Sequence, residues 1–171
     1  ANQFTVRDTI YGTNGNVQKE SLPYFSNGTA RTTATGQNSL YTNYVYDALN
    51  RKVSSNTVVG TTTIGFDQWR ETITDTRGNV KKNNYDAYRN LASVLEQNGT
   101  STYTTTYDWT LQNQLAKVTD ALGNIRLIQY DGLARRSLVE DLHATADTTY
   151  GKWAFIYDAA GNIATTTDPK G

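Results

Sequence analysis

The stretch that decides the reading runs from Val118 to Arg136. It begins Val118-Thr119-Asp120-Ala121-Leu122-Gly123-Asn124, continues Ile125-Arg126-Leu127-Ile128-Gln129-Tyr130, and closes on Asp131-Gly132-Leu133-Ala134-Arg135-Arg136. Two β-favouring runs each lead into an aspartate followed by small or turn-forming residues. An aspartate at the start of a turn can accept a hydrogen bond from a backbone N–H two or three residues on, and Gly or Asn supplies the positive φ the turn needs. The stretch therefore predicts strand, turn, strand, turn. Ile125, Leu127, Ile128 and Tyr130 cannot share one face at a period of two, which predicts a bulge or burial on both sides.

Both phrases recur. Tyr46-Asp47-Ala48-Leu49-Asn50-Arg51 matches Tyr130-Asp131, and Tyr85-Asp86-Ala87-Tyr88-Arg89-Asn90 matches Tyr157-Asp158-Ala159-Ala160-Gly161-Asn162. Phe66-Asp67 and Tyr107-Asp108 read as two further copies. Tyr11-Gly12-Thr13-Asn14-Gly15-Asn16 is a degenerate one, with glycine in the aspartate's place. The second phrase recurs as Thr74-Asp75-Thr76-Arg77-Gly78-Asn79, more loosely as Leu95-Glu96-Gln97-Asn98-Gly99, and again at Thr167-Asp168-Pro169-Lys170-Gly171. Asp75 stands ten positions before Tyr85 and Asp120 ten before Tyr130, so the two phrases keep register. A period of about 20 to 27 residues falls in the range of repeat architectures.

Composition agrees with many short strands. Thr, Asn, Gly and Tyr are abundant and only two prolines occur among 171 residues. Sixteen basic and sixteen acidic residues cancel, leaving no basic field to favour nucleic acid or an anionic membrane. No apolar run approaches the roughly 20 residues of a spanning helix. With no cysteine there is no disulfide framework, thiolate metal site or cysteine nucleophile. With no methionine, the chain is expected to be an excised piece or processed product of a longer parent.

The alternation of Tyr-Asp-x-x-Gly-Asn/Arg with Thr-Asp-x-x-Gly-Asn resembles the YD repeats of Rhs proteins, bacterial toxin-complex cocoon proteins and teneurins. The resemblance covers residues 41–171. Before it, Ser21-Leu22-Pro23-Tyr24-Phe25 resembles a linking phrase of toxin-complex members. The resemblance implies an all-β fold in which antiparallel hairpins form part of a shell or β-solenoid, enclosing or displaying a toxic polypeptide. It assigns structural roles to Tyr46, Asp47, Phe66, Asp67, Asp75, Gly78, Tyr85, Asp86, Tyr107, Asp108, Asp120, Gly123, Tyr130, Asp131, Tyr157, Asp158 and Gly161. The family's glycine is replaced by Asn50, Arg89 and Ala134 in three copies; Asn tolerates a left-handed backbone, so different turn types are expected at Arg89 and Ala134. Asp168-Pro169-Lys170-Gly171 superficially resembles part of the family's self-cleaving core, but it stands where Asp75 and Asp120 stand and reads as a repeat turn.

Catalytic chemistry finds little footing. Paired carboxylates could hydrolyse a glycan, yet most of the acidic residues follow the repeat, whereas a catalytic pair should break it. His143, the only histidine, lies near Glu140 and Asp141 without metal-motif spacing and reads as an exposed loop residue. No nucleophile elbow or phosphate loop occurs, and no cofactor or metal is expected. Trp69 and Trp109, close behind repeat aromatics, could stack on sugar rings; the reading favoured for them and for Trp153 is that they cover the sheet edge or pack in the core.

The sequence thus predicts a degenerate repeat and linking segment over 1–40 and a YD-repeat hairpin array over 41–171. The expected role is structural and non-enzymatic, in a secreted or cell-surface toxin shell. Its expected partners are neighbouring repeats of the parent chain, an enclosed polypeptide, or other copies through edge strands. The alternative is an adhesin or carbohydrate-binding segment that assembles end to end into filaments. A glycan lyase or hydrolase on a β-solenoid is a third, weaker reading.

Overall fold

The computed structural model describes residues 3–27 and 40–170. All sixteen strands among them lie in antiparallel arrays, and no α-helix occurs among these residues. The chain divides into two compact units, Ala1–Asp67 with Glu71–Val80, and Gln68–Arg70 with Lys81–Gly171.

The first unit holds β1 (Gln3–Val6), β2 (Thr9–Tyr11), β3 (Val17–Ser21), β4 (Tyr24–Asn27), β5 (Tyr41–Tyr46), β6 (Lys52–Thr57), β7 (Gly60–Asp67) and most of β8 (Arg70–Thr74). β1 and β4 form a separate two-stranded sheet, with Val6 opposite Tyr24. The larger sheet runs β2-β3-β5-β6-β7, and Lys19 of β3 faces Asn43 of β5. Where the two sheets meet, Ser21 (1% exposed) and Asp8 (3%) are buried and joined: the Asp8 N–H donates to Ser21 Oγ at 2.8 Å and the Ser21 N–H to the Asp8 carbonyl at 2.9 Å. Tyr24 Oη completes the junction by donating to Asp8 Oδ2 at 2.7 Å.

The second unit holds most of β9 (Val80–Tyr85), then β10 (Leu91–Asn98), β11 (Ser101–Trp109), β12 (Leu115–Thr119), β13 (Ile125–Tyr130), β14 (Arg136–Glu140), β15 (Lys152–Tyr157) and β16 (Ile163–Thr167). Their order in the sheet is their order in the chain. Every strand pairs with its sequence neighbours, so short connections suffice and the alternation of tight turns dictates the topology.

A single layer of strands has no second layer to bury against. Val94, opposite Thr105, is the only large apolar residue fully buried among the described residues. Leu49, Tyr88, Leu111, Leu122 and Leu133 stand exposed in turns. Order must therefore come mainly from backbone ladders, turn hydrogen bonds and side chains that bridge strands. The register slips by one residue just before five of the turns, at Ile10/Tyr11, Val45/Tyr46, Asp108/Trp109, Gln129/Tyr130 and Ile156/Tyr157. The slip at Tyr130 places its extra residue, Ser137, in β14; the mixed apolar pattern of β13 is met instead by burial on both sides, with Ile125, Leu127, Ile128 and Tyr130 all half-buried.

Candidate functional site

The chemistry of this chain is concentrated in one recurring five-residue turn. At Asp47, the Asp47 N–H donates to the Arg51 carbonyl (2.9 Å) and the Asn50 N–H returns to the Asp47 carbonyl (3.0 Å). Asp47 Oδ1 accepts the N–H groups of Leu49 and Arg51, both at 2.9 Å, while the Arg51 guanidinium clamps Oδ2 at 2.7–2.8 Å. The same backbone pair closes the turns opened by Gly12, Asp75, Asp86, Thr110, Asp120, Asp131 and Asp158. In the aspartate copies the fifth residue, Asn79, Asn90, Asn124, Arg135 or Asn162, turns its side chain onto Oδ2. Lys170 N–H donates to Asp168 Oδ1 at 2.9 Å, the opening bond of the same turn.

The carboxyls of Asp47, Asp75, Asp86, Asp120, Asp131 and Asp158 sit below the usual aspartate range. The cause is the Arg51 N–H and then its side chain at Asp47, the Asn79 and Asn124 amides at Asp75 and Asp120, the Arg135 side chain at Asp131, and the Asn162 N–H at Asp158. At Asp86 desolvation pushes upward, and the bonds from Asn90 outweigh it. Carboxylates so fully engaged as acceptors are poorly placed to move protons.

The fourth position carries a positive φ throughout: Gly15 82°, Asn50 66°, Gly78 84°, Arg89 66°, Asn113 59°, Gly123 83°, Ala134 65° and Gly161 88°. The expectation of different turn types at Arg89 and Ala134 is therefore corrected. Both adopt the glycine conformation, held there by the two backbone bonds and the aspartate on either side.

Two expected copies sit elsewhere. Asp108 lies within β11, opposite Lys117 with its carboxylate 3.8 Å from Nζ, and the turn begins at Thr110. Opened by Asp108, the turn would put Leu111 in the left-handed position, whereas Thr110 puts Asn113 there. Trp109 is thus the repeat aromatic of this cycle, and Tyr107 lies two residues inside the strand. Asp67 ends β7 and is followed by a two-residue turn, Gln68-Trp69, with Gln68 at φ 49°. The fifth residue of a turn opened by Asp67 would be Glu71, a second carboxylate where the intact turns present a donor. The loose copy at Gln97-Asn98-Gly99 likewise makes a two-residue turn, joining Asn98 to Ser101.

The aromatics acquire a shared task. Tyr46 Oη donates to the Val17 carbonyl (3.0 Å), Trp109 Nε1 to Leu91 (2.9 Å), Tyr130 Oη to Leu115 (2.9 Å) and Tyr157 Oη to Arg136 (2.9 Å). Each acceptor is the first residue after the preceding turn on the same end of the strands, so these four aromatics each stitch their hairpin to the one before. The fifth residue makes a second link, reaching forward to the next hairpin. Arg51 stacks over Phe66 at 4.1 Å and Arg135 over Tyr157 at 4.3 Å. Asn16 bonds Asn50, Asn90 Nδ2 donates to Asn113 Oδ1 at 3.0 Å, and Gln114 Nε2 donates to the Ala134 carbonyl at 2.6 Å. The short apolar-to-polar spacing in the sequence could have exposed this rule at Trp109, had the left-handed position been used to choose between Asp108 and Thr110.

Trp69 is about half exposed, and Trp153 is 39% exposed. An open groove of about 490 Å³ lies between the turns at Thr110 and Asp131, lined by Gln112, Gln114, Gln129 and Tyr130 among others. No cluster of three or more His, Cys, Asp or Glu that could hold a metal occurs among the described residues.

His143 departs most from expectation. It is only 7% exposed, beside Glu140 at 4%, where a loop replaces the second-phrase turn between β14 and β15. The reason is backbone pairing: His143 and Ile125 exchange both amide bonds, at 2.8 and 3.0 Å, which draws the loop onto the sheet. Its ring stacks on Tyr150, with centroids 3.5 Å apart and planes 7° from parallel.

An antiparallel array whose aspartate turns are stitched by the aromatic of the next hairpin has the fold of a YD-repeat, Rhs-like segment. No known family's sequence model matches the chain, and no curated protein matches it. Its fold is similar to solved toxin-complex structures: TcdB2-TccC3-Cdc42 (TM-score 0.79, 17% identity, 95% of this chain and 9% of that one), TcdB2-TccC3-TEV (0.77, 17%, 95% and 9%) and the Photorhabdus luminescens Tc holotoxin pore with a TccC3 substitution (0.62, 15%, 97% and 10%). The chain spans about a tenth of the length of these solved chains.

Proposed function

We propose that this chain is a strip of wall in a toxin-associated shell that acts outside the cell, enclosing or displaying a polypeptide and performing no catalysis itself. The observation that carries the reading is the assignment of the turn aspartates and repeat aromatics to joining one hairpin to the next. Side chains committed in this way build a surface of indefinite length, which is what an enclosure requires and an active site does not. The likeness to TcdB2-TccC3 structures supports the toxin association.

The test is protease protection of the chain expressed together with whatever its gene encodes on either side. An enclosed polypeptide survives protease until the wall is opened by denaturant, and mass spectrometry identifies the surviving fragment. Digestion of everything outside the repeat array at once, with the array intact, would sink the enclosure reading. A second reading, sugar binding, is favoured by the exposed indole of Trp69 and the polar groove beside Thr110. A glycan array with Trp69→Ala as control separates the two: sugar capture lost in the variant would favour the adhesin.

A further inference from the structure

The loop at 141–151 interrupts the repeat, and the buried groups it gathers are the ones the turn rule leaves unexplained. Four elements meet there. β13 supplies the Ile125 backbone, β14 supplies Glu140, the loop supplies Asp141, His143, Asp147 and Tyr150, and β15 supplies Lys152. Glu140 Oε1 accepts from Tyr150 Oη at 3.1 Å and lies 3.8 Å from Lys152 Nζ. Lys152 also sits 4.7 Å from the Tyr150 ring centre and has its ammonium form favoured, first by Tyr150 and then by Glu140. Asp147 is held below the usual carboxylate range by the Thr149 N–H first, with His143 adding a smaller contribution.

The remaining atoms pose a problem of hydrogen inventory. His143 Nδ1 lies 2.8 Å from the Asp141 carbonyl, which can only accept, so Nδ1 carries a hydrogen. In a neutral ring Nε2 would then present a lone pair. It faces Glu140 Oε2 at 3.9 Å, an oxygen that is itself buried and without a hydrogen-bond partner. Two acceptors confronting each other in a buried site are costly unless a positive centre lies between them. Only these two ligand atoms converge, too few for a metal's usual set, whereas a proton on Nε2 turns the confrontation into an ion pair.

We propose that a proton on His143 Nε2, which sets an imidazolium 3.9 Å from the Glu140 carboxylate, is a clasp that shuts the 141–151 loop onto the sheet. With the proton present, Glu140 Oε2 gains a positive partner, His143 keeps its stack on Tyr150, and the exchange of bonds with Ile125 is secured. Without it, the pair repels and the loop lifts from β13. Because the protonated pair is the one that holds, closure is favoured at low pH and lost as pH rises.

Hydrogen exchange on the intact chain tests this, followed over peptides spanning 141–151 at about pH 5 and about pH 8, the range in which imidazoles change charge. Protection factors remove the intrinsic pH dependence of exchange. The amides of Asp141 and His143, which donate to Gly151 and Ile125, are expected to lose about tenfold protection at the higher pH. The Asp131 turn, made of the same backbone but lacking the clasp, should not. Glu140→Gln places an amide N–H opposite Nε2 and makes the proton unnecessary, so its loop should stay protected at both pH values. His143→Phe keeps a ring on Tyr150 but leaves Glu140 alone, so its loop should be poorly protected at both. Equal protection of the wild-type loop at both pH values, or an undiminished fall in Glu140→Gln, would overturn the clasp.

Discussion

Ala134 and Arg89 occupy a backbone conformation that costs an L-residue roughly 1–2 kcal/mol and costs glycine nothing sterically. Glycine has more chain entropy to lose, which returns part of that difference. Ala134→Gly and Arg89→Gly should therefore raise stability by about 0.5–1 kcal/mol, with a smaller gain for Asn50→Gly. Denaturant midpoints measure this, and no gain at either position would mean that the turn relaxes around the side chain. The stitching aromatics make the opposite forecast. Tyr130→Phe removes one hydrogen bond, to the Leu115 carbonyl, and should cost about 1 kcal/mol. Trp109→Phe should cost at least as much, since it also removes ring area, while Tyr107→Phe, which removes no stitch, should be nearly silent. Asp120→Ala should lower the midpoint without changing the slope of unfolding; an unchanged midpoint would show that the backbone bonds hold the turn unaided.

Most of the strands and turns were legible because aspartate, a left-handed residue and an Asn or Arg fall at fixed offsets. The phrase around Asp75, Asp120 and Asp131 needs no tertiary information to be recognised. Asp108 misled because the dipeptide Tyr107-Asp108 imitates the motif while the decisive residue, Asn113, stands further on. Asp67 misled because the flaw lies at Glu71, outside the recognisable phrase. His143 reads as an exposed loop residue and is buried instead, since its burial depends on pairing with Ile125, a partner eighteen residues away that no local pattern marks. Among the strands themselves, β16 stands out. All five of its residues are exposed, it has a neighbour on one side only, and it carries no charge. Such an edge templates further pairing. Light scattering over a concentration series should detect association, and Thr165→Lys with Thr167→Lys should suppress it. A chain that stays monomeric at high concentration in both forms would show that the edge is protected.

Taken together, the six depressed turn aspartates make the array sensitive to acid in a defined direction. A folded carboxyl whose proton affinity is lowered contributes stability above the unfolded value, 3.8 for aspartate, and that contribution is lost as pH falls through the folded value. Thermal midpoints should accordingly stay level from neutrality to about pH 5 and then fall below about pH 4. Replacing the paired aspartates by asparagine should flatten that fall; an acid limb of unchanged steepness would place its origin elsewhere. Each strand of the second unit is bonded only to strands adjacent to it in the chain, and this has a mechanical consequence. A pull on the chain's two ends loads the outermost ladder first and spares the next until its aromatic stitch gives way. In a force spectrometer the unit should ravel out like knitting, losing one hairpin at a time. Each release would free about 20 to 27 residues, or roughly 70–95 Å of chain.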